Sequence, residues 1–455
     1  MIRDAVCLPR LADGLELLGE FKDSAYAEPP SLVRRADGQV IQLTRLLYLV
    51  ASQIDGTRDP DAIAGLVSGE LGRSLTGDQV SYLVNAKLAP LGIVAGQSDT
   101  VAPAALPTAR PLLALRARAT LLPTEVANAA GTFLRPLFHW PVVVAVIVGV
   151  AAVDYWIFVI HGLNAALGQI LNDPADLLLV VILTVVSALI HECGHAAGCR
   201  YGGARPGRIG VGIYLVFPAF FTNVTDSYRL SRAGRLRTDL GGLYFNLIVI
   251  LALAGVYAAT SSQLLLLVIA LTHLEMLEQL LPFVRFDGYF ILSDFVGVPD
   301  LFARIAPVVR SGLSRGGSDP RVTGLRRPAR ILITAWVLCV IPLLTIMLGY
   351  LVLRLPEVDR ALWHSASHAA HLTASGLAAH RYAGAAAALI GLALAALSMA
   401  GSLYVAVGLL RRAVTASMRW SAGRPARRLL AVVATVLLAG PLVIFWVVQG
   451  QFRDW

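Results

Sequence analysis

The sequence is poor in charged residues, in cysteine and in lysine. Charged residues are 15% of its 455 residues, against about 25% in an ordinary soluble domain, and the mean hydropathy is +0.68. These values exclude a single large soluble domain and a disordered chain. The four cysteines lack a disulfide-framework spacing, which excludes a disulfide-stapled secreted module; they are Cys7, Cys193, Cys199 and Cys339. The N-terminus has no apolar run typical of a signal peptide, so we expect it to stay in the cytoplasm.

The positive charge is concentrated in the apolar part of the chain. The formal net charge is +9, yet residues 1–110 hold ten Lys or Arg against thirteen Asp or Glu. Residues 111–455 hold twenty-eight against sixteen. A basic surplus that accompanies apolar sequence is typical of a protein in a lipid bilayer, and it argues against a nucleic-acid partner.

Residues 1–94 predict a small winged-helix-like α/β domain. The segments 31–35 and 39–43 flank Asp37-Gly38, and such a turn is typical of a hairpin. Three helices are predicted next, through residues 46–50, from 59 or 61 to 71, and from 76 to 88, with a short strand at 91–94. Gln79, three residues after Thr76, indicates a capping box at the third helix. Residues 95–136 are predicted to form a linker and a membrane-adjacent stretch.

Seven apolar stretches are long enough to cross a bilayer, which takes about 20 helical residues. They lie at residues 137–159, 177–200, 240–259, 264–281, 331–353, 382–410 and 429–448. The loops after the second, fourth and sixth hold six, eight and six Arg residues, whereas the alternate loops hold none, none and three. Because basic residues stay on the cytoplasmic side, we expect a multi-pass cell-membrane protein with its N-terminus inside and its C-terminus outside.

One motif carries chemistry, at the end of the second predicted span. His191 and His195 are four residues apart, so both imidazoles project from one face of a helix towards a single metal ion, for which Zn²⁺ is the natural candidate. Glu192 lies one step round the helix, where it can act on a water molecule rather than bind the metal. The alternative is a structural polar pair in a helix bundle, although such groups in a lipid-spanning helix are costly unless they are used.

A catalytic zinc site needs a third protein ligand, and Asp287 is the candidate. It follows the fourth predicted span, which ends on the same side of the membrane as the second. Pro282 interrupts the helix, and Gly288 permits a tight turn that aims Asp287 back towards the metal. The alternative is a helix-terminal turn in which the Asp is a cap.

The two motifs together resemble the site-2 protease class of intramembrane zinc metallopeptidases. The strings FPAFFTNVTDSYRLSRAGRLRTDLGG (217–242) and LPFVRFDGYFILSDFVGVPDL (281–301) resemble its bacterial peptide zinc metalloprotease subgroup. The resemblance covers about residues 177–302. It implies a helical membrane protein with a metalloprotease core at 137–310, followed by a three-span region at 311–455. By position it implies His191, His195 and Asp287 as zinc ligands and Glu192 as general base.

The resemblance also implies two substrate-binding residues. Asn246, in Gly242-x-x-x-Asn246, would bind the substrate backbone or the oxyanion, and the alternative is a polar contact between helices. Gln279 stands where the family often has Asn, and it would help to position the substrate. Residues 208–216 alternate Gly with β-branched residues, which predicts an extended segment whose edge pairs with an unwound substrate. An ordinary interfacial loop is the alternative for this segment.

Two other polar clusters have no assigned role. His273, Glu275 and Glu278 lie in the fourth predicted span, where they would face the bundle or a water path, with a second metal as the alternative. His364, His368 and His371 share a helix face before the sixth predicted span. That spacing permits metal binding, but an interfacial helix is the favoured interpretation.

The N-terminal module resembles the PqqD-like domains that recognise peptides during the biosynthesis of ribosomally made, modified peptides. The resemblance implies that a leader peptide adds as a strand beside residues 39–43 and packs on the third helix.

The expected function is therefore an intramembrane zinc endopeptidase whose partner is a peptide or protein substrate, with leader removal as its reaction. The alternatives are regulated proteolysis of a membrane-anchored signalling protein, and a non-catalytic transporter or immunity protein with a vestigial zinc site. The oligomeric state is left open.

Overall fold

Most of the chain is helical, and a small β/α unit precedes the helices. The structure is a computed structural model, and it describes residues 8–36, 39–95, 116–162, 174–214, 217–313, 319–422 and 425–448. The N-terminal unit is residues 8–95, and the helical part begins at residue 116.

The N-terminal unit combines an antiparallel three-stranded sheet with three helices. The strand order is β1-β2-β3, so β3 lies at an edge of the sheet. The elements are β1 (Glu16–Glu20), β2 (Ser31–Arg34), β3 (Val40–Leu43), α1 (Arg45–Gln53), α2 (Pro60–Leu71) and α3 (Gly77–Tyr82). The predicted strand pair and the three helices are confirmed, whereas β1 was not predicted. The Asp37-Gly38 turn lies outside the described residues.

Local side chains begin the helices of this unit. Asp59 accepts a hydrogen bond of 2.7 Å from the backbone N–H of Ala62 at the start of α2. Thr76 and Gln79 form the predicted capping box at α3. A π-helical segment then continues α3 as far as Leu88. The apolar faces of the three helices pack against the sheet and close one core.

The helical part contains the remaining elements. They are β4 (Arg116–Leu122), α4 (Thr124–Leu134), α5 (Trp140–Tyr155), α6 (Pro174–Tyr201), β5 (Ile209–Tyr214), β6 (Phe217–Thr222), α7 (Arg232–Asp239), α8 (Gly241–Thr260), α9 (Gln263–Gln279), α10 (Asp287–Val296), α11 (Phe302–Leu313), α12 (Pro320–Thr323), α13 (Arg327–Ala378), α14 (Tyr382–Ser421) and α15 (Pro425–Val448). The buried core of this part lies chiefly between α5, α8 and α9.

Five helical segments in the described part of the chain are long and apolar enough to cross a membrane. They are Trp140–His161, Ala175–Tyr201, Gly241–Thr260, Arg327–Tyr350 and Tyr382–Tyr404. The chain is therefore a multi-pass membrane protein by length and composition, with five candidate spans instead of the predicted seven. The fourth predicted span falls on α9, which has 17 residues and ends in a polar stretch. The seventh falls on α15, several of whose side chains lie outside the described residues.

A second three-stranded sheet packs beside the helices. β5 pairs with β4 on one side and with β6 on the other, both antiparallel. The predicted extended segment is therefore present, but both of its edges are occupied, so the prediction that it offers an edge to a substrate is wrong. β4 comes from the stretch predicted as a linker, which also contains α4. The edge of this sheet that adjoins α6 is formed by β6.

The N-terminal unit docks directly on the helical part. Glu16 of β1 forms ion pairs with Arg34 of β2 and with Arg229, just before α7. The link between β1 and β2 runs across the helical part, where Tyr26 forms an antiparallel bridge with Leu325. The unit is thus held by its own contacts in addition to its connection through residues 96–115.

Candidate metal centre

Three potential ligands for one metal ion meet where α6 approaches the start of α10. The Nε2 atoms of His191 and His195 are 3.1 Å apart. The Oδ2 atom of Asp287 lies 3.0 Å from Nε2 of His191 and 3.4 Å from Nε2 of His195. Within the described residues this is the one group of three such side chains that could hold a metal ion.

The spacing of these three atoms fits a tetrahedral zinc site. Zinc binds imidazole nitrogen and carboxylate oxygen at about 2.0–2.1 Å, which places neighbouring ligand atoms of a tetrahedron about 3.3 Å apart. The three observed separations, 3.0, 3.1 and 3.4 Å, bracket that value. The donor set, two imidazoles and one carboxylate, leaves a fourth position for water or substrate, which is typical of catalytic sites.

His195 is held in the tautomer that a metal requires. Its Nδ1 atom lies 2.8 Å from the backbone carbonyl oxygen of Thr238 in α7. Because a carbonyl oxygen can only accept, Nδ1 carries the proton and Nε2 presents its lone pair to the metal position. Such a hydrogen bond behind a histidine ligand fixes its orientation. Thr238 was not singled out from the sequence.

Glu192 is oriented by Thr222, the last residue of β6. The Thr222 hydroxyl lies 2.6 Å from Oε2 of Glu192 and 2.9 Å from the backbone carbonyl oxygen of the same residue. The sheet and the motif helix are therefore joined at the residue predicted to be the general base. Sequence reasoning missed Thr222, although it lies in the 217–242 string that carries the resemblance.

Close packing of α6 on α8 depends on glycine. A Cβ atom at Gly194 would lie 2.2 Å from the backbone oxygen of Gly241, and one at Gly242 would lie 2.3 Å from Nε2 of His191. Small residues at such a crossing let two helices approach closely. Gly242 therefore leaves room for His191, a role that the pattern Gly242-x-x-x-Asn246 did not predict.

Asp287 reaches the metal position because the chain breaks after α9. α9 ends at Gln279, and α10 begins at Asp287 itself. A Cβ atom at Gly288 would lie 2.1 Å from the backbone oxygen of Leu280, so this glycine allows a close approach of two backbones rather than a special turn angle. The intervening loop is tied to α13, since the indole Nε1 of Trp336 donates to the carbonyl of Pro282 at 2.9 Å.

The two predicted substrate-binding residues lie on the helices that frame the site. Asn246 in α8 is 0% exposed, and neither polar atom of its amide has a hydrogen-bond partner among the described residues. Gln279, the last residue of α9, donates to Oε1 of Glu275 at 3.1 Å. Their roles towards a substrate stay predictions.

The two remaining predicted clusters contribute no side chain to the group of three ligand candidates. His273 in α9 pairs with Asp154 in α5, with 3.2 Å between Nε2 and Oδ1. Glu278 is exposed at the end of α9. Three exposed histidines lie on α13, which continues as one helix through the segment predicted as an outer loop; they are His364, His368 and His371.

Comparison with known proteins gives a partial match. A Bacillus subtilis (strain 168) protein named "Putative peptide zinc metalloprotease protein YydH" is 30% identical over 125 residues, which are 27% of this chain and 50% of that protein. The chain is a distant, partial homologue of YydH. It spans about half the length of this curated relative. No protein-family model matches the chain, and no solved structure does.

Proposed function

We propose that this protein is an intramembrane zinc endopeptidase. The observation that carries the proposal is the triangle of His191, His195 and Asp287 donor atoms, with sides of 3.0 to 3.4 Å, beside a hydrogen-bonded glutamate on a candidate membrane span. The partial homology to a protein named as a zinc metalloprotease supports the choice of metal and of reaction class.

Each residue of the metal centre has a separate role in the proposed peptide hydrolysis. When bound, zinc supplies Lewis-acid polarisation and a low pKa for water at the site. His191, His195 and Asp287 hold the ion. The Thr238 carbonyl fixes the tautomer and orientation of the His195 ring. Glu192 takes a proton from the attacking water and delivers it to the leaving amine. The Thr222 hydroxyl holds Oε2 of Glu192 in place for both transfers.

The substrate binds as an extended strand next to β6. The outer edge of β6 has no strand partner among the described residues, and an added strand would satisfy the backbone groups of both chains. Because β6 ends at Thr222, a strand bound there runs past Glu192. Asn246 and Gln279 are the further candidates to bind the substrate.

The reaction belongs to the cytoplasmic half of the bilayer, and its substrate is the precursor of a ribosomally made, modified peptide. In support of this side, the loops between the seven predicted spans that are rich in arginine favour the cytoplasm for the N-terminus and the metal centre. In the PqqD-like interpretation of the N-terminal unit, a leader peptide pairs with the edge strand β3. Cleavage then removes the leader.

The test is to co-express the chain with the small peptides encoded by neighbouring genes and to analyse them by mass spectrometry. Wild type is expected to yield a truncated peptide, and Glu192→Gln only the intact one. Identical products from both would contradict peptidase activity. Function retained by Glu192→Gln would instead favour a transporter or immunity protein. Cleavage of a membrane-anchored regulator, with these peptides left intact, would contradict leader removal but not proteolysis.

A further inference from the structure

A buried arginine lies where three parts of the molecule meet. Arg235 of α7 is 0% exposed. Its Nε donates to Oδ1 of Asp294 in α10 at 2.7 Å. Its Nη1 donates to the backbone oxygens of Leu230 at 2.9 Å and of Lys22 at 3.1 Å. Its guanidinium carbon lies 4.2 Å from the centre of the Phe21 ring. The partners thus come from α10, from the segment just before α7 and from the N-terminal unit.

The two helices that Arg235 joins each support a metal-ligand candidate. α7 also carries Thr238, whose carbonyl accepts from Nδ1 of His195. α10 begins with Asp287 and reaches Asp294 about two turns later. A shift of α7 against α10 would therefore move the support of His195 relative to Asp287. The Arg235 to Asp294 ion pair opposes that shift, because breaking it would leave a charge buried without a partner.

A second buried carboxyl group lies at the contact between α7 and α10 that Arg235 and Asp294 form. Asp239, the last residue of α7, is also buried, and its carboxyl group lies near that of Asp294. Burial raises the pKa of Asp239, and the neighbouring Asp294 raises it further. A proton on Asp239 removes the repulsion between the two carboxyl groups and leaves Asp294 ionised for its pairing with Arg235.

Residues 21–27 of the N-terminal unit also contact both α7 and the end of α10. Asp23 accepts a hydrogen bond of 3.0 Å from the backbone N–H of Arg232 at the start of α7. The backbone N–H of Ala25 donates at 3.0 Å to the carbonyl oxygen of Gly297, directly after α10. The same segment thus holds the beginning of α7 and the end of α10. With Phe21 against the guanidinium, it closes the third side of the Arg235 site.

We propose that Arg235 is a positioning residue of the metal centre, and that residues 21–27 of the N-terminal unit act through it to set metal affinity and geometry. The inference rests on the metal site of the proposed function, but not on its peptidase activity. The N-terminal unit is then a structural part of the centre in addition to any peptide that it binds.

The test compares three variants of the full-length protein in detergent. Arg235→Lys keeps the charge but not the forked set of hydrogen bonds. Phe21→Leu keeps Arg235 and an apolar side chain while it removes the aromatic face. Glu16→Gln is the matched control, because Glu16 also joins the N-terminal unit to the helical part, through Arg229, but supports no ligand. Zinc affinity is measured by competition with a chromophoric chelator, and site geometry from the visible spectrum of the cobalt(II)-substituted protein.

Loss of support behind a metal ligand weakens binding by about ten- to a hundredfold. We expect Arg235→Lys to fall in that range with an altered cobalt spectrum, Phe21→Leu to weaken binding less, and Glu16→Gln to match wild type. A folded Arg235→Lys with wild-type affinity and spectrum would overturn the proposal, as would an equal loss in Glu16→Gln. If Arg235→Lys does not fold, wild-type binding by Phe21→Leu overturns it. A wild-type protein that binds no zinc would overturn the proposed function as well.

Discussion

The Thr222 hydroxyl donates to the Glu192 carboxylate across 2.6 Å and lies 2.9 Å from the Glu192 backbone oxygen. This pair joins the last residue of an edge strand to the glutamate beside the metal ligands. A substrate strand added to β6 would therefore be aligned by the same element that orients the proposed general base.

Removing that hydroxyl should slow catalysis without removing the metal. A hydrogen bond to a charged group is worth about 1.5–3 kcal/mol, so we expect Thr222→Val to lower kcat by about ten- to a hundredfold. Thr222→Ser should retain most of the rate, because it keeps the donor. The measurement is the cleavage rate of the precursor peptide, alongside zinc content. A Thr222→Val rate equal to wild type would show that Glu192 needs no such partner.

A single methyl group at Gly242 should damage the metal centre. In Gly242→Ala the new Cβ would lie 2.3 Å from Nε2 of His191, which must turn away from the metal position. We expect zinc affinity to fall by at least about tenfold, as when a ligand loses its orientation. Gly255→Ala is the control on the same helix, since nothing lies within 4 Å of a Cβ there. Equal zinc affinity in the two variants would contradict this geometry.

The buried carboxyl pair predicts how stability depends on pH. Burial holds the pKa of Asp239 above its ordinary value of 3.8. Above that pH the folded protein retains a proton that the unfolded chain has released, so this group's contribution to stability falls as pH rises. Asp239→Asn should therefore raise Tm relative to wild type by an amount that increases as the pH rises above about 4. The check is thermal unfolding in detergent, and a Tm difference that is constant with pH would contradict it.

Metal binding should depend on the three ligand candidates and not on Glu192, the proposed general base. We expect one zinc per chain in wild type and in Glu192→Gln, and far less in His191→Ala or Asp287→Ala. Elemental analysis of purified protein measures the ratio. Full zinc occupancy in Asp287→Ala would remove Asp287 from the ligand set, while loss of zinc from Glu192→Gln would place Glu192 within it.

Local patterns account for what could be predicted from the sequence. The spacing of His191 and His195 brings two imidazoles together on any helix, and Thr76 with Gln79 caps α3 by contacts three residues apart. Five predicted spans follow from apolar length alone. Asp287 was predicted as a ligand because a catalytic zinc site needs a third protein ligand, and this residue follows the interrupted end of the fourth predicted span.

The features that were missed depend on distant partners. β4 reads as a basic membrane-adjacent stretch, and only β5, about ninety residues later, makes it a strand. β1 has the sequence Glu-Leu-Leu-Gly-Glu, which does not alternate apolar and polar residues strictly. Its register with β2 is irregular between Leu17 and Gly19. The contact of Thr238 with His195 uses a backbone carbonyl, which any residue type could supply. α13 continues beyond residue 353, where the fifth predicted span ends, and it passes through Pro356.

The most direct measurement is metal-dependent cleavage by the purified protein in lipid vesicles. The protein is stripped with a zinc chelator, supplied with the precursor peptide found by co-expression, and assayed by mass spectrometry before and after zinc is restored. We expect no cleavage by the stripped protein, recovery of cleavage in wild type when zinc returns, and no cleavage by zinc-loaded Glu192→Gln. Cleavage by the stripped protein, or equal cleavage by Glu192→Gln, would contradict it.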